Sequence, residues 1–353
     1  MVFDFVLPKK QISRFLNTYL SRKETEFRTI SPLTPLVFKQ LKSFVGKGKM
    51  IRGGLVYFTY DFFDKKPDDL CLKIAAAMEI IHAALLIHDD IMDEDTFRRG
   101  EKTVYAFYQD WAKKQHIKNP ENLGKNLGIC IGDIVIFLCF DLLSSTENNF
   151  TDKHKEIINS LSKELVRVGF GQIQDVVLAS KEKNVTCEDI INLYCYKTAR
   201  YTFSLPLVLS AVALEINSSL KKDLEKFGEH LGLIFQIKDD DLGMMGNVEE
   251  IGKPVGSDVR EGKKTLYYFF LFQKSTSSER KELKKIFGNK NLSKADLSYV
   301  RKLVQSYKID HLIEEQLHVQ VKNAYKLARK ISKNKKQNEM LAMLTSYNLN
   351  RSK

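Results

Sequence analysis

The stretch "EIIHAALLIHDDIMDEDTFRRG", Glu79–Gly100, joins an apolar segment to a dense cluster of charge. Five carboxylates fall within seven positions, from Asp89 to Asp95, and two adjacent arginines, Arg98 and Arg99, follow at once. Carboxylates at that density repel one another unless a cation lies among them. The stretch therefore predicts a helix that ends at a cation-binding site.

The apolar run reaches back to Cys71 and continues to Met92, which is typical of a helix buried on most sides. The chain has 353 residues, 43% hydrophobic and 28% charged, a composition usual for a globular protein with a large core. It has only seven prolines, and we find no Gly/Ser-rich linker and no internal repeat. Long proline-free spans rich in Leu, Lys, Glu and Ile favour helices. The sequence predicts an all-α fold with a single domain over residues 1–353.

The carboxylates of the first acidic cluster suit a hard divalent cation, which prefers oxygen ligands. Asp89 and Asp93 are four residues apart and would share one face of the helix, whereas Asp90 lies about 100° around the axis. Taken alone, such a cluster is equally typical of a solvated helix end.

A second stretch, "GLIFQIKDDDLGMMG", repeats the pattern about 150 residues downstream, where an apolar segment runs into three aspartates from Asp239 to Asp241. Gln236 lies one turn before Asp239 and adds a polar group to that face. Basic residues follow this cluster too, at Lys253 and in the Lys263–Lys264 pair. Carboxylates that hold Mg²⁺, beside cations that bind anions directly, are what a diphosphate site requires. The two clusters predict one cavity with metal ions held between opposite walls.

Net charge, hydropathy and cysteine content indicate which partners and which compartment to expect. The formal charge of +12 comes largely from scattered lysines and from the tail "ARKISKNKKQ", without a recognition motif, so we expect no nucleic-acid partner. The N-terminus lacks the pattern of a signal peptide, and the most apolar stretch, "GICIGDIVIFLCFDLL", carries Asp133 and is expected to be too short to span a bilayer. Five cysteines without CxxC spacing predict reduced core thiols and a cytoplasmic protein.

In order along the chain, the motifs resemble those of the trans-isoprenyl diphosphate synthases, the polyprenyl synthetase family, and in particular its geranylgeranyl and longer-chain members. The series covers residues 46 to 267 and includes "GKGKMIRGG", "IHAALLIHDDIMDEDTFRRG", "GQIQD", "YKTA", "FQIKDD" and "GKPVGSDVREGKKT". One such motif is weak evidence, but the ordered series is specific.

The resemblance implies a helical bundle around a deep central cavity, usually in a homodimer. The family joins isopentenyl diphosphate head-to-tail to an allylic diphosphate (dimethylallyl, geranyl, farnesyl or geranylgeranyl) and releases inorganic diphosphate. It implies Mg²⁺ as the cofactor, with three ions during turnover and Mn²⁺ as a substitute. The product would also bring the protein to membrane surfaces.

The resemblance also implies roles for individual residues. The metal ligands would be Asp89, Asp90, Asp93, Asp239 and Asp240. The allylic diphosphate would be bound by Arg98, Lys197 and Lys253, with Thr198 and Gln236 nearby as positioning groups. Isopentenyl diphosphate would be bound by Lys49, Arg52, His82 and Arg99, and Lys263 would complete the site.

Three positions depart from the family pattern. Gly53 replaces the proline usual after the arginine of the first basic motif, and Glu101-Lys102-Thr103 displaces the proline usual after "RRG". The second acidic motif ends in Gly243 instead of aspartate. Asp241 cannot replace it, because two residues correspond to about 200° of helix rotation.

Product length is expected to depend on the helix that ends at Asp89. Ala84 lies five residues earlier, about 7.5 Å deeper at about 1.5 Å per residue. The resemblance implies that an aromatic there would close the cavity floor, whereas Ala84, Leu85 and Ile81 leave it open. Phe137 and Phe140 are alternative floor residues or simple core packing. We expect a product of twenty carbons or more.

Two other interpretations remain. Glu79–His82 and Glu315–His318 both read ExxH, the ligand pair of di-iron helical bundles, although that interpretation leaves the aspartate clusters and arginines unexplained. A non-catalytic partner subunit of a prenyl synthase would keep the fold but lose motif residues.

Overall fold

The computed structural model describes residues 6–145, 150–180, 185–246 and 256–351. Within these ranges the regular secondary structure is helical, apart from one two-stranded hairpin, β1 (Phe97–Arg98) with β2 (Glu101–Lys102). The α-helices of the first half are α1 Val6–Phe27, α2 Thr34–Val45, α3 Ile51–Phe62, α4 Asp69–Met92, α5 Val104–Lys114 and α6 Pro120–Ser144. The prediction of an all-α fold is confirmed.

The second half combines α-helices of very different lengths with one π-helical segment. A π-helical segment, Cys195–Ser204, connects two of its helices. The α-helices are α7 Asp152–Ser180, α8 Cys187–Tyr194, α9 Leu205–Ala213, α10 Ser218–Met245, α11 Ser257–Glu261, α12 Leu266–Lys274, α13 Ser277–Ile286, α14 Lys294–Ser306, α15 Ile309–Ile331 and α16 Lys335–Leu349.

The chain divides into two compact units. The first comprises Met1–Ser160 with Pro206–Ile216, and the second comprises Leu161–Leu205 with Asn217–Lys353. The prediction of a single domain therefore stays a prediction.

In the first unit, α4 is the central helix and packs against α3 and α6. The core residues that α4 contributes are mostly alanine and isoleucine, and nearly all of these side chains are at most 1% exposed. Asp68 caps its N-terminus, accepting a hydrogen bond from the backbone N–H of Cys71 at 2.7 Å. Gly124 lets α6 approach α5 closely, because a Cβ there would lie 2.6 Å from the Tyr105 carbonyl oxygen.

In the second unit, α10 packs against the π-helical segment and α15. Two glycines one turn apart, Gly228 and Gly232, make the first contact possible: a Cβ on either would lie within 2.6 Å of the backbone of Ser204 or Ala199. Arg200 anchors the segment through a two-bond contact with Glu164, at 2.8 and 3.0 Å, and through ion pairs with Glu225 and Glu229.

Among the residues that the structure describes, two helices, α4 and α6, are long and apolar enough to cross a membrane by length and composition. The expectation that the apolar stretch of α6 is too short is therefore wrong, because the stretch belongs to a helix of 25 residues. In α4, 67% of the most apolar window is buried within the protein, and in α6 the share is 44%. Such windows also occur in buried core helices, so they are weak evidence for a membrane protein.

All five cysteines are free thiols, as predicted. They are not all core residues, however. Cys71 and Cys139 are buried, Cys187 and Cys195 are partly buried, and Cys130 is exposed on α6.

Candidate active site

The first acidic motif lies at the C-terminal end of α4. Asp89 and Asp93 are both partly exposed and one turn apart, and the backbone N–H of Asp93 donates to the Asp89 carbonyl at 2.9 Å. Asp90 points elsewhere: it is 1% exposed, and its Oδ1 accepts a hydrogen bond from Nε of Arg98 at 2.5 Å. The geometry therefore groups Asp89 with Asp93 and pairs Asp90 with an arginine, and the metal role of Asp90 stays a prediction.

The hairpin after α4 positions both arginines. Arg98 pairs with Glu101 across the strands, and the two residues of the turn, Arg99 and Gly100, have φ of 52° and 78°. Positive φ at both turn positions is the geometry of the tight hairpin turns, and glycine adopts it without strain. Arg99 then donates to the carbonyl of Lys47.

Gly53 replaces a proline for a reason that the structure shows. Its backbone N–H donates a hydrogen bond to Oε1 of Glu79 at 2.8 Å, and a proline has no N–H to donate. Glu79 is buried, and burial raises the pKa of its carboxyl, while Arg52 and this hydrogen bond oppose the shift. Glu79 therefore ties α4 to the first turn of α3, which carries Arg52.

The residues predicted to bind isopentenyl diphosphate gather in the first unit. Burial and the charges of Arg52, Arg99 and Arg98 lower the pKa of His82 well below its ordinary value, so its imidazole is neutral at neutral pH. Arg52 is buried, His82 is partly buried, and Arg99 and Lys49 are exposed. Gly48 packs against the Arg99 guanidinium: a Cβ there would lie 2.6 Å from its nearest nitrogen.

The second acidic motif lies at the C-terminal end of α10. The Asp239 side chain is 55% exposed, whereas Asp240 is buried. The Asp240 carboxylate accepts hydrogen bonds from Nε2 of Gln236 at 2.8 Å and from the hydroxyl of Tyr194. Burial and the charge of Asp258 raise the pKa of Asp240. Each motif thus has one buried aspartate with a dedicated partner, Asp90 in the first and Asp240 in the second.

Asp241 is oriented as predicted, away from the other two. Its carboxylate accepts hydrogen bonds from Nζ of Lys238 at 2.6 Å and from the hydroxyl of Tyr267 at 2.7 Å. It cannot supply the carboxylate that Gly243 lacks.

The "GQIQD" and "YKTA" motifs meet in the second unit. Gly171 lies against the backbone of Lys197, since a Cβ there would be 2.8 Å from its nitrogen, and Asp175 forms an ion pair with the Lys197 ammonium. Lys197 and Thr198 occupy the π-helical segment, which the sequence pattern did not predict. Such segments are frequent at functional sites.

The predicted closing segment has two lysines with different surroundings. Lys263 forms an ion pair with Glu261 at 2.6 Å. Lys264 is buried, with its Nζ 4.1 Å from the centroid of the Tyr268 ring, and burial lowers its pKa. The prediction for Lys253 lies outside the described residues.

The sequence motifs do not predict two residues that contact the second acidic motif, Tyr194 and Arg351. Tyr194 accepts a hydrogen bond from the backbone N–H of Leu266 at 3.0 Å while donating to Asp240, so it connects the acidic end of α10 with the start of α12. Arg351 lies 3.3 Å from Oδ1 of Asp239, and its guanidinium carbon is 3.8 Å from the centroid of the Phe235 ring. No motif pointed to either residue.

The donor sets in both units fit Mg²⁺. Asp89 and Asp93 offer carboxylate oxygens from one helix face, and the exposed carboxylate of Asp239 does the same in the second unit. The prediction that both motifs face one cavity stays a prediction.

The di-iron interpretation is not supported by the second ExxH pair. Glu315 and His318 are both exposed on α15, whereas ligands of such centres project into a bundle core. Glu79 in the first pair is engaged with Gly53.

Comparison with known proteins supports the resemblance to the polyprenyl synthetase family. The family model for polyprenyl synthetase matches residues 34–304. A short-chain isoprenyl diphosphate synthase of Methanocaldococcus jannaschii is 32% identical over 299 residues, 84% of this chain and 81% of the relative. A geranylgeranyl diphosphate synthase of Saccharolobus solfataricus is 33% identical over 265 residues, 74% of this chain and 70% of the relative.

The fold is also shared with solved structures. Geranylgeranyl pyrophosphate synthase of Corynebacterium glutamicum, solved with isoprenyl diphosphate and magnesium, aligns with a TM-score of 0.90 at 24% identity, over 99% of each chain. From the family match, the identity to curated relatives and the motif geometry, we conclude that the chain belongs to the polyprenyl synthetase family.

Proposed function

We propose that this prenyltransferase condenses an allylic diphosphate with isopentenyl diphosphate, using Mg²⁺, and extends the chain to twenty carbons or more. The observation that carries the proposal is the arrangement of carboxylate and basic side chains in the first unit. There the partly exposed pair Asp89 and Asp93 lies at the end of the same helix that carries His82, beside Arg52 and Arg99.

The residues of the first unit support distinct tasks. Arg52 and Arg99 would neutralise the diphosphate of isopentenyl diphosphate, and neutral His82 would hydrogen-bond to it without adding charge. From inside the core, Glu79 accepts a hydrogen bond from the backbone N–H of Gly53, next to Arg52, and Asp90 holds Arg98 in place. Asp89 and Asp93 would hold Mg²⁺ in this unit, and Asp239 would hold it in the second unit. Three ions would bind during turnover, and Mn²⁺ would substitute for Mg²⁺.

The chemistry requires charge stabilisation more than a strong base. Breaking the allylic C–O bond leaves a carbocation and a diphosphate of high negative charge, and the bound Mg²⁺ supplies charge stabilisation there. The alkene of isopentenyl diphosphate then attacks the cation, and the departing diphosphate accepts the proton that is lost. Lys197, fixed by Asp175, would contact the allylic diphosphate.

The test is prenyl transfer with labelled isopentenyl diphosphate, each allylic primer and Mg²⁺, followed by chromatography of the dephosphorylated products. Asp89→Ala and Asp93→Ala should each lower turnover by several orders of magnitude, whereas Glu94→Gln, a neighbouring carboxylate at the surface beside Lys125, is the matched control. Near-normal turnover in Asp89→Ala would contradict the metal assignment. Turnover absent in the intact wild type would favour a non-catalytic partner subunit.

We also propose that the protein is a homodimer. The exposed apolar side chains support this: Phe137 on α6 is 71% exposed, and on α7 Val166, Phe170, Ile173 and Val177 form a stripe at helical spacing. Phe137→Glu and Phe170→Glu should convert the dimer to a monomer in sedimentation velocity. An unchanged sedimentation coefficient in both variants would place the interface elsewhere.

A cytoplasmic protein that meets membranes through its product is consistent with this function. Flotation with phospholipid vesicles, before and after turnover, tests the membrane association. Equal flotation in both conditions would contradict a product-mediated contact.

A further inference from the structure

We propose that a cavity in the first unit is a second ligand site, and that it binds a neutral long-chain aliphatic alcohol. The cavity lies between the connection from α1 to α2 and the helices α2, α5 and α6, and its volume is about 440 Å³. Small-molecule sites usually have volumes of about 300–1,000 Å³. None of the described residues of α4 lines this cavity, so it is distinct from the product cavity expected along that helix.

The cavity has buried walls and an exposed apolar mouth. Among its lining residues, Phe38, Ile131 and Leu138 are at most 5% exposed, whereas Ile30 and Phe137 are 76% and 71% exposed. At about 30 Å³ per nonhydrogen atom, the space holds about fifteen such atoms. A chain of that length can enter through the mouth and bury its apolar surface against the walls.

Tyr108, on α5, is the residue that calls for a polar group on the ligand. It lines the cavity and is 0% exposed, and its hydroxyl has no hydrogen-bond partner within the described part of the chain. Burial raises the pKa of Tyr108 to about 12, so the hydroxyl keeps its proton at neutral pH and can donate. Buried tyrosine hydroxyls normally have a partner. The oxygen of a ligand in the cavity would be that partner.

The charges around the cavity favour a neutral ligand. Among the described residues, no lysine, arginine or histidine lines it. The carboxylate in its lining, Asp141, already accepts hydrogen bonds from the Tyr19 hydroxyl at 2.7 Å and from Nζ of Lys23 at 2.9 Å. A diphosphate or a fatty-acid carboxylate would lose its hydration there without gaining a countercharge. A hydroxyl group needs only the one partner that Tyr108 offers.

The chain contains its own probe for binding at this cavity. Trp111 is the only tryptophan, and the centroid of its ring lies 6.3 Å from that of Tyr108. Titration of the full chain with farnesol, a neutral alcohol of fifteen carbons, should change the Trp111 fluorescence saturably in the absence of Mg²⁺ and isopentenyl diphosphate. Palmitate, which has a chain of similar length and a carboxylate, should bind at least about tenfold more weakly. Hexadecanol distinguishes the sources: equal affinity assigns the site to aliphatic alcohols in general, and weaker binding assigns it to prenyl alcohols.

Two variants locate the bound alcohol. Tyr108→Phe removes the hydroxyl and should weaken farnesol binding by about three- to tenfold, as expected for one hydrogen bond. Val37→Phe, at a partly exposed lining residue of α2, should weaken binding more strongly, because the larger side chain fills the cavity. Tyr105→Phe is the matched control, since it makes the same change one turn earlier on α5 at a residue outside the lining, and it should stay within about twofold of wild type. Circular dichroism checks that each variant is folded.

Four results would overturn the proposal. The first is no saturable fluorescence change up to the solubility limit of farnesol, and the second is palmitate binding as tight as that of farnesol. The third is unchanged farnesol affinity in both Tyr108→Phe and Val37→Phe, which would place the alcohol elsewhere, such as along α4. The fourth is binding only to the monomer in sedimentation velocity, which would make a second copy of the chain the occupant, since Phe137 also belongs to the proposed dimer interface. Absence of prenyl transfer would contradict the proposed function alone, because the titration requires no turnover.

Discussion

Nε of Arg98 lies 2.5 Å from Oδ1 of Asp90, and both side chains are almost entirely buried. The adjacent aspartates of the first motif therefore have different surroundings. Asp89 is partly exposed, whereas Asp90 is buried and paired with Arg98. The second pair is divided in the same way, because Asp240 is buried with Tyr194 and Gln236. Adjacent residues on a helix point about 100° apart, so one of each pair faces outward and the other faces the core.

Asp90→Ala should destabilise the protein, whereas Asp89→Ala should not. Removing Asp90 leaves the buried Arg98 charge without its main partner, which costs about 3–5 kcal/mol in such pairs. Asp89→Ala removes a partly exposed group and should change the free energy of unfolding by at most about 0.5 kcal/mol. Urea denaturation measures both.

A double-mutant cycle provides the control. Asp90→Ala with Arg98→Ala should cost less than the sum of the two single changes, because the unpaired charge is removed as well. Strict additivity would mean that the two side chains do not stabilise one another.

Arg351→Gln should strengthen Mg²⁺ binding at the second motif. The Arg351 guanidinium lies beside Asp239 and over Phe235, one turn earlier on α10, so it competes with a metal ion for the carboxylate. Only Asp239 of this pair is exposed, and pairs open to solvent contribute up to about 1 kcal/mol, which corresponds to an effect of about two- to fivefold. Titration calorimetry with Mg²⁺ measures it, with Arg329→Gln, an exposed arginine on α15, as the control.

The opposite result would be informative. Weaker Mg²⁺ binding in Arg351→Gln would show that the guanidinium favours metal binding instead of competing with the metal for Asp239.

Much of this arrangement could be predicted from the sequence, because apolar periodicity and clustered charge are local signals. The sequence predicts the helix that carries Asp89 from Cys71 to Met92, and the structure has it from Asp69 to Met92. The partners of the clusters were not local: Tyr194 is 46 residues from Asp240, and Arg351 is 112 from Asp239. Gly53 departs from the family pattern, and its reason is likewise non-local, because its N–H donates a hydrogen bond to Glu79 on another helix.

His82→Asn should make stability less sensitive to acid. The pKa of His82 is lowered in the folded protein, first by burial and then by the nearby arginines. Below pH 6.5 the unfolded imidazole therefore binds a proton that the folded one does not, and stability is lost as pH falls. The slope from this group reaches about 1.4 kcal/mol per pH unit.

The measurement is the free energy of unfolding by urea from pH 7.5 to pH 5. The wild type should lose stability more steeply than His82→Asn over this range. His154→Asn, where burial, Lys73 and Lys153 lower the histidine pKa in a more exposed setting, is the comparison and should change the slope less. Parallel profiles for wild type and His82→Asn would contradict the assignment of a neutral His82.

Product length should depend on Ala84 and on Phe140, but not on Phe137. Phe137 is 71% exposed and faces away from the core, so its suggested role as the floor is not supported, whereas Phe140 is partly buried. The Sγ of Cys139 donates to the Ala77 carbonyl at 3.4 Å, which packs this part of α6 against the deeper turns of α4. Phe140 therefore remains the candidate floor residue.

Ala84→Phe should shorten the product, Phe140→Ala should lengthen it, and Phe137→Ala should leave it unchanged, as measured by chromatography of the dephosphorylated products with excess isopentenyl diphosphate. Ala84 is 0% exposed, so a larger side chain must displace its neighbours at a cost of about 1–3 kcal/mol, and the thermal midpoint of that variant has to be measured alongside. Leu85→Phe, on the partly exposed side of the same turn, narrows the space with less strain and should shift the product in the same direction. A wild type that stops at fifteen carbons, or a folded Ala84→Phe with an unchanged product, would mean that this turn of α4 does not limit the chain.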